Sequence, residues 1–427
     1  MTSAMAAFSS SRRASFWLIV GLALLCLLAL PVPLAPLPAQ AAGAAAGLDK
    51  AQLAQILAPR VSQLVDGRPF NVNHPRLGTI TVESSIWPYL QEQAEDLLDG
   101  LKSARAALAL TDATTGRVLV IAGVRNGRLD PGVALDGSAL AASLYKIVTA
   151  AAAVEETEVS PMSRIYFTGR PHSLIPSQVA IEKPKKATPA TLRESFATSN
   201  NPVFAKLGIY HVGGELLLWY GKALGFEHRL PFELPLGISR LADADDKLSV
   251  AGLASGYNRE TTISPVHAAL LSAVFVNNGR LMEPFVVNRV TNASGEVLYA
   301  GRPRSLGRIV SDNTCRAMQK MFEATITEGT AKRAFARLGQ DQVLRNITLG
   351  GKTGTMGSPD HTELFEWFAG YGRDERSGRT LAVSAVVVHN RTRYANAKQL
   401  ARQLLRQAFS TPATHVVSQP RGEQPRM

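Results

Sequence analysis

An α+β fold, a mostly antiparallel sheet of about five strands flanked by helices with an inserted helical lobe, is what this 427-residue sequence predicts. Three observations lead there. A strand-like run occurs early, at Ala106–Ala122, and further strand patterns occupy the last third of the chain. The stretch between them is dominated by helical patterns. Strands gathered towards both ends of a chain, with helices inserted between, share one sheet when the first and last strands meet in space. With 46% hydrophobic residues the chain can bury a sizeable core, as one large domain or two modest ones.

Taken in order, Arg12 and Arg13 precede an uncharged apolar run from Phe16 to Leu30, then prolines from Pro31 to Pro38, then Ala39-Gln40-Ala41. Residues 1–41 therefore read as an export signal with a small-residue cleavage site, or, if the proline stretch lengthens the apolar run, as an uncleaved membrane anchor. Either way the rest of the chain is expected in the periplasm or another extracytoplasmic space, secreted or held at the inner membrane. Residues 42–100 read as a short spacer followed by a helix. No chemistry is visible from Ala42 to Gly78, whereas Tyr89, Leu90, Ala94, Leu97, Leu98 and Leu101 fall at helical spacing.

The principal domain is expected over 101–410. Asp112-Ala113-Thr114-Thr115-Gly116 divides two apolar runs and predicts a β-hairpin. Ser138–Val154 lacks Gly and Pro and predicts a buried helix, opened by Ser143 after Ala142. Pro171–Pro189 reads as an irregular excursion. Thr191–Ala197 is helical, and Pro202 after Ser199-Asn200-Asn201 marks a loop between helices. Val203–Phe226 is helical with interruptions at Gly213 and Gly214, and Ser264-Pro265 opens a helix that ends near Asn278-Gly279. A second hairpin turns across Asn292–Gly295, and Thr314–Glu328 forms a helix. Strands at Thr348–Thr355, Phe365–Gly372 and Leu381–Val388 precede a helix over Asn396–Phe409. The polar, proline-containing tail at 411–427 is expected to be disordered.

The formal net charge of +12 is scattered and not gathered into a stripe, and no nucleic-acid motif accompanies it, so nucleic acid is not an expected partner. Of the two cysteines Cys26 lies in the apolar run, which leaves Cys315 without a partner in a mature form. The eight histidines are dispersed, with no metal-ligand spacing, so neither metal nor cofactor is expected.

Three motifs carry the chemistry: Ser143-Leu144-Tyr145-Lys146, Ser199-Asn200-Asn201 and Lys352-Thr353-Gly354-Thr355. A Ser and a Lys three residues apart on a helix share a face, which puts a nucleophile beside a base. Acyl transfer needs a nucleophile, a proton acceptor, a proton donor for the leaving amine and N–H groups facing the oxyanion. Ser143 is the candidate nucleophile. Lys146 is its base if burial and the charge of Lys352 lower its pKa. Ser199 can pass a proton to the departing amine, and Asn201 can fix a substrate amide. Lys352, Thr353 and Thr355 can bind a substrate carboxylate, and Gly354 leaves room for close backbone approach. Each motif alone is common by chance; their order and setting, on a helix, in a loop and on a glycine-flanked strand, match a known serine acyl-transfer signature.

With those motifs in place, the chain resembles the penicillin-binding transpeptidase family of bacterial cell-wall enzymes, roughly from Thr79 to Gln407. The likeness takes in the Asp112–Ile121 strand pair, Thr261-Thr262-Ile263-Ser264-Pro265, Asn277-Asn278-Gly279 and Trp367-Phe368-Ala369-Gly370-Tyr371. It implies a fold like that of serine β-lactamases and a D,D-transpeptidase whose serine is acylated by a peptidoglycan stem peptide and trapped by β-lactam antibiotics. It also implies an oxyanion site on the backbone N–H groups of Ser143 and Thr355. A glycan polymerase or a division or elongation protein is the kind of partner it suggests. A D,D-carboxypeptidase, a β-lactamase and a β-lactam-binding sensor without turnover are the alternatives. No Glu-x-x-Leu-Asn sequence lies between Ser199 and Lys352 to supply the deacylating glutamate of class A β-lactamases. Two departures touch the start of the nucleophile helix: Ala141-Ala142 stands where the family often has Pro-Gly, and Ile147 where a proline often follows the lysine. The few dozen residues before the domain are too few for a glycosyltransferase domain, so glycan polymerisation is not expected. Trp367 is read as core, and Asp360 and His361 as a solvated loop and not an acid–base pair.

Overall fold

The computed structural model describes residues 47–411 except 391 and 394. The signal or anchor reading of 1–41 and residues 412–427 of the tail lie outside the described residues. The main sheet comprises β1 (Arg105–Asp112), β2 (Val118–Arg125), β3 (Arg128–Leu129), β4 (Ile347–Gly357), β5 (Leu364–Asp374) and β6 (Thr380–His389). Its spatial order is β4-β5-β6-β1-β2-β3 with antiparallel neighbours throughout. Five long strands and a two-residue sixth thus form the expected sheet, and its first and last long strands do meet, with Asp112 opposite Leu381 and Arg105 opposite Val388.

Helices cover both faces of this sheet. The helices of the described residues include, in chain order, α1 (Pro88–Leu98), α2 (Lys146–Glu156), α3 (Leu192–Thr198), α4 (Asn201–Leu207), α5 (Lys247–Ser255), α6 (Pro265–Ala273), α7 (Asp312–Thr327) and α8 (Ala397–Ser410). Leu90, Ala94 and Leu98 of α1 and Leu400, Leu404 and Leu405 of α8 pack with Leu108, Val120, Phe368 and Val387 on one face. The opposite face, with Ala109, Ile121, Trp367 and Ala369, is covered by α6 and belongs to the larger core, which also takes in Ile147 and Val148 of α2. Burial on both faces explains why the strands read as nearly continuous apolar runs and not as alternating ones.

The β1–β2 turn follows from its residues. Asp112 Oδ1 accepts from the backbone N–H groups of Thr114 and Thr115 at 2.9 and 3.0 Å, and Gly116 takes a φ of +78° against the carbonyl of Glu283.

The expected spacer needs correction. Residues 50–57 form a helix capped by Asp49, with Leu53 and Leu57 buried. Phe70–His74 and Gly78–Ser84 pair with each other, and the second joins Val287–Asn292 in a four-stranded sheet completed by Val297–Ala300. Only three apolar residues, Val72, Ile80 and Val82, point inwards, joined by Ser84, while Asn71 bonds Thr81 and Asn73 bonds Thr79 outside. So few apolar positions give no periodic signal, and the pairing strand lies far along the chain. Helix α5 also went unanticipated. Asp246 caps it by accepting from Leu248 and Ser249, and Gly256 ends it at φ +62°.

Candidate active site

The nucleophile segment is not one helix. Ala142–Tyr145 is a 3₁₀ turn, and α2 begins at Lys146, so Ser143 stands on the turn ahead of the helix. Ala142 takes φ +50°, a left-handed conformation that costs a residue with a Cβ about 1 kcal/mol or more. Three neighbours hold this turn. Trp367 Nε1 donates to Leu140 O at 2.8 Å, which puts the indole in the core as read. A Cβ on Gly354 would meet Ala141 O at 3.3 Å and Ala142 Cβ at 3.4 Å, so the close approach this glycine permits is to the nucleophile turn itself. Gly256 is tighter still, its missing Cβ falling 2.0 Å from Ala142 O.

Lys146 Nζ lies 2.9 Å from Ser143 Oγ and 2.7 Å from Asn201 Oδ1, and also meets the backbone carbonyl of Ser255. The side chain is fully buried. Burial, and secondarily the charge of Lys352, hold its pKa well below the usual lysine range. A deprotonated amine has two N–H donors and one lone pair. Asn201 Oδ1 and Ser255 O can only accept, so they take both donors and leave the lone pair for the Ser143 hydroxyl. The orientation of the Asn201 amide follows from its other end, where Nδ2 donates to His172 O at 3.1 Å.

The second motif occupies a two-residue break between helices. Ser199 ends α3 at φ +61°, and Asn200 caps α4 by accepting from Val203 N at 3.1 Å. This sharp reversal points Ser199 Oγ at Lys352, whose Nζ donates to it at 3.0 Å and to Thr353 O at 2.9 Å. Asn201 N donates to Pro171 O at 2.6 Å, so the expected excursion forms a strap over the motif. Lys352 is fully buried, and burial pushes its pKa down to about 7. Each amine faces an aromatic ring at 5.5 Å, Lys146 over Phe204 and Lys352 over Phe196.

Lys352–Thr355 lie on β4, the edge strand of the sheet, with Gly354 opposite Trp367. Thr353 Oγ1 is 2.5 Å from Thr330 Oγ1, and Thr355 is exposed near the end of the strand. The structure thus gathers the six residues into two bonded groups, Ser143 and Asn201 on Lys146, and Ser199 and Thr353 on Lys352, with the Lys352 charge acting on Lys146. Asp360 stays out of both, accepting from the Ser358 and Thr362 hydroxyls, which lowers its carboxyl pKa to about 2. Sequence reasoning passed over Ser255, Gly256, His172 and Thr330. The first three act through backbone atoms, which side-chain chemistry does not signal, and Thr330 lies in a turn after α7 that resembles many others.

The family described as penicillin binding protein transpeptidase domain matches residues 106–407. Peptidoglycan D,D-transpeptidase PbpA of Mycolicibacterium smegmatis is 22% identical over 345 residues, which is 71% of this chain and 66% of that protein. Stage V sporulation protein D of Bacillus subtilis is 25% identical over 216 residues, 50% of this chain but 32% of its own length. Against penicillin-binding protein 2a of Streptococcus pneumoniae the match spans 19% of the relative, so the chain covers a third or less of the first curated relatives it matches. Among solved structures, the D,D-transpeptidase domain of a peptidoglycan glycosyltransferase from Eggerthella lenta superposes with a TM-score of 0.63 at 20% identity, covering 86% of this chain and 91% of that one. PBPA from Mycobacterium tuberculosis gives 0.61 at 20% identity, covering 77% and 82%. Both likenesses concern the fold. The family match spans all three motifs and most of the described residues, and by it the chain belongs to the penicillin-binding protein transpeptidases.

Proposed function

We propose that this protein is a D,D-transpeptidase that cross-links peptidoglycan stem peptides through an acyl-enzyme on Ser143 and is inhibited by β-lactams. The observation that carries the reading is the buried Lys146 amine, 2.9 Å from Ser143 Oγ with its pKa lowered and its lone pair left to the hydroxyl. Lys146 takes the hydroxyl proton as Ser143 Oγ attacks the carbonyl of the penultimate stem residue. The backbone N–H groups of Ser143 and Thr355 receive the oxyanion. Ser199, polarised by Lys352, hands a proton to the departing terminal D-alanine, while Asn201 holds the substrate amide through the Nδ2 hydrogen left over from His172. Lys352, Thr353 and Thr355 receive the terminal carboxylate. An amine of a second stem then attacks the ester carbonyl and gives up its proton to Ser199, while Lys146 returns the proton it took to Ser143 Oγ as the ester C–O bond breaks. Among the described residues no carboxylate bonds to Ser143, Lys146 or Lys352, which supports an acyl-enzyme that waits for an amine over one hydrolysed at once. The place of action is outside the cytoplasm, with residues 1–41 as signal or anchor, and a glycan polymerase supplying the strands.

Gel labelling with a fluorescent penicillin tests the nucleophile: wild type labels and Ser143→Ala does not. A donor stem peptide incubated with and without an acceptor amine tests the acceptor, the expected product being the cross-linked dimer. Labelling that persists in Ser143→Ala overturns the acyl-enzyme account, and hydrolysis unaffected by amine assigns a carboxypeptidase.

A further inference from the structure

The last four carbonyls of an α-helix have no partner within it. In α5 the first two of these are satisfied by the chain that follows: Gly252 O accepts from Tyr257 N, and Leu253 O from Gly256 N, both at 2.9 Å. The other two are satisfied from α2. Ala254 O accepts from the Thr149 hydroxyl at 2.8 Å, and Ser255 O accepts from Lys146 Nζ. Thr149 and Lys146 sit three residues apart on one face of α2, and both side chains are fully buried. Carbonyls of adjacent peptides at a helix end point the same way, so holding Ala254 O aims Ser255 O.

We propose that Thr149 is a positioning residue for Lys146, fixing the Ser255 carbonyl that takes one N–H of the amine and so directs its lone pair at Ser143. This rests on the reading of Lys146 as the base. With Thr149 in place, one acceptor for the amine is anchored through α5 and the other, Asn201, through His172 O. Without the hydroxyl, Ala254 O is left buried with no donor, the end of α5 relaxes, and the amine is free to turn its lone pair away from Ser143. Substrate binding is untouched, because Thr149 reaches none of the residues assigned to the substrate.

The experiment measures the acylation rate constant and the reversible dissociation constant for a fluorescent penicillin, with thermal melting, in Thr149→Val, Thr149→Ala and Thr149→Ser. General-base catalysis contributes about 10²–10⁴-fold, and loosening the base without removing it is expected to slow acylation about 10- to 100-fold in the Val and Ala variants. The dissociation constant is expected to stay within about twofold, and the Ser variant, which keeps the hydroxyl, to acylate like wild type. Wild-type acylation in Thr149→Val overturns the proposal. So does a Ser variant as slow as Ala, or a loss carried by the dissociation constant. Thr149→Ser retains the donor with the smallest change in packing, so it decides even where Val unfolds. If wild type itself shows no Ser143-dependent labelling, the reading of the site fails instead, a result separable from the first.

Discussion

Replacing Gly256 by alanine tests whether the end of α5 holds the nucleophile turn from behind. At φ +62° a Cβ costs about 1–2 kcal/mol from backbone conformation alone. The new methyl group would also lie 2.0 Å from Ala142 O, 2.7 Å from Ala142 C and 3.3 Å from Ser143 Cα. Ordinary contact starts at 3.4 Å, so the first of these is short by 1.4 Å, and the obstacle is backbone that no rotamer change can clear. One partner has to retreat by roughly an ångström, and misplacement of that size costs reacting groups about 100-fold in rate. The assay is acylation by a fluorescent penicillin followed over time, with thermal unfolding measured in parallel. Acylation is expected to fall about 100-fold and the melting temperature to fall by a few degrees. Gly252→Ala is the control: it lies in the same helix, and its nearest neighbours would stand at 3.6 and 3.8 Å, so acylation should match wild type and the melting temperature should not fall. Acylation of a folded Gly256→Ala protein within about threefold of wild type would refute the idea that α5 sets the position of Ser143.

Four further outcomes follow from the same geometry. Because burial pushes Lys352 down to about 7, affinity for a carboxylate-bearing ligand should weaken about tenfold per unit as pH rises above that value, measured by titration in Ser143→Ala. The same shift gives a stability sign: between about pH 7 and 10.5 the unfolded chain holds a proton on Lys352 that the folded chain lacks, so folding stability contributed by this group rises with pH, and denaturant titrations of Lys352→Met should lack that rise. Thr330→Val strips Thr353 of its hydroxyl partner and is expected to weaken carboxylate binding about fivefold, ~1 kcal/mol, with displacement titration as the check. Ala142→Gly relieves the left-handed backbone before Ser143 and should stabilise the fold by up to about 1 kcal/mol, so a lower melting temperature would contradict the conformation described.

The parts legible in the sequence are those whose signal is local and repeated. The runs flanking Asp112–Gly116 and the strands of the last third are long, apolar and bounded by turns, so the main sheet could be read, including the meeting of β1 with β6. Ser143 and Lys146 were legible because their spacing states their relation. The helix boundary was not: Ser143 stands on a 3₁₀ turn because the left-handed Ala142 and the packing of Gly354 and Gly256 bend the chain there, and each comes from a distant segment. The strands at 70–74 and 78–84 escaped for a related reason, since three inward apolar residues make a face only when Val287–Asn292 supplies the rest. The strap at Pro171–His172 and the carbonyl of Ser255 contribute through main-chain oxygen atoms, which every residue type carries alike.

The pairing of β6 with β1 has a consequence for how the protein comes into being. β1 precedes and β6 follows all the helices that carry the first two motifs. β4, with Lys352, is attached to β1 only by way of β5 and β6. Contacts of such long sequence separation close late and slowly. A chain still being synthesised, or one truncated before Thr380, has Ser143 on its turn and Lys146 on α2 but no seam through which the third motif can reach them. The third motif therefore reaches the first two only once β6 has paired with β1.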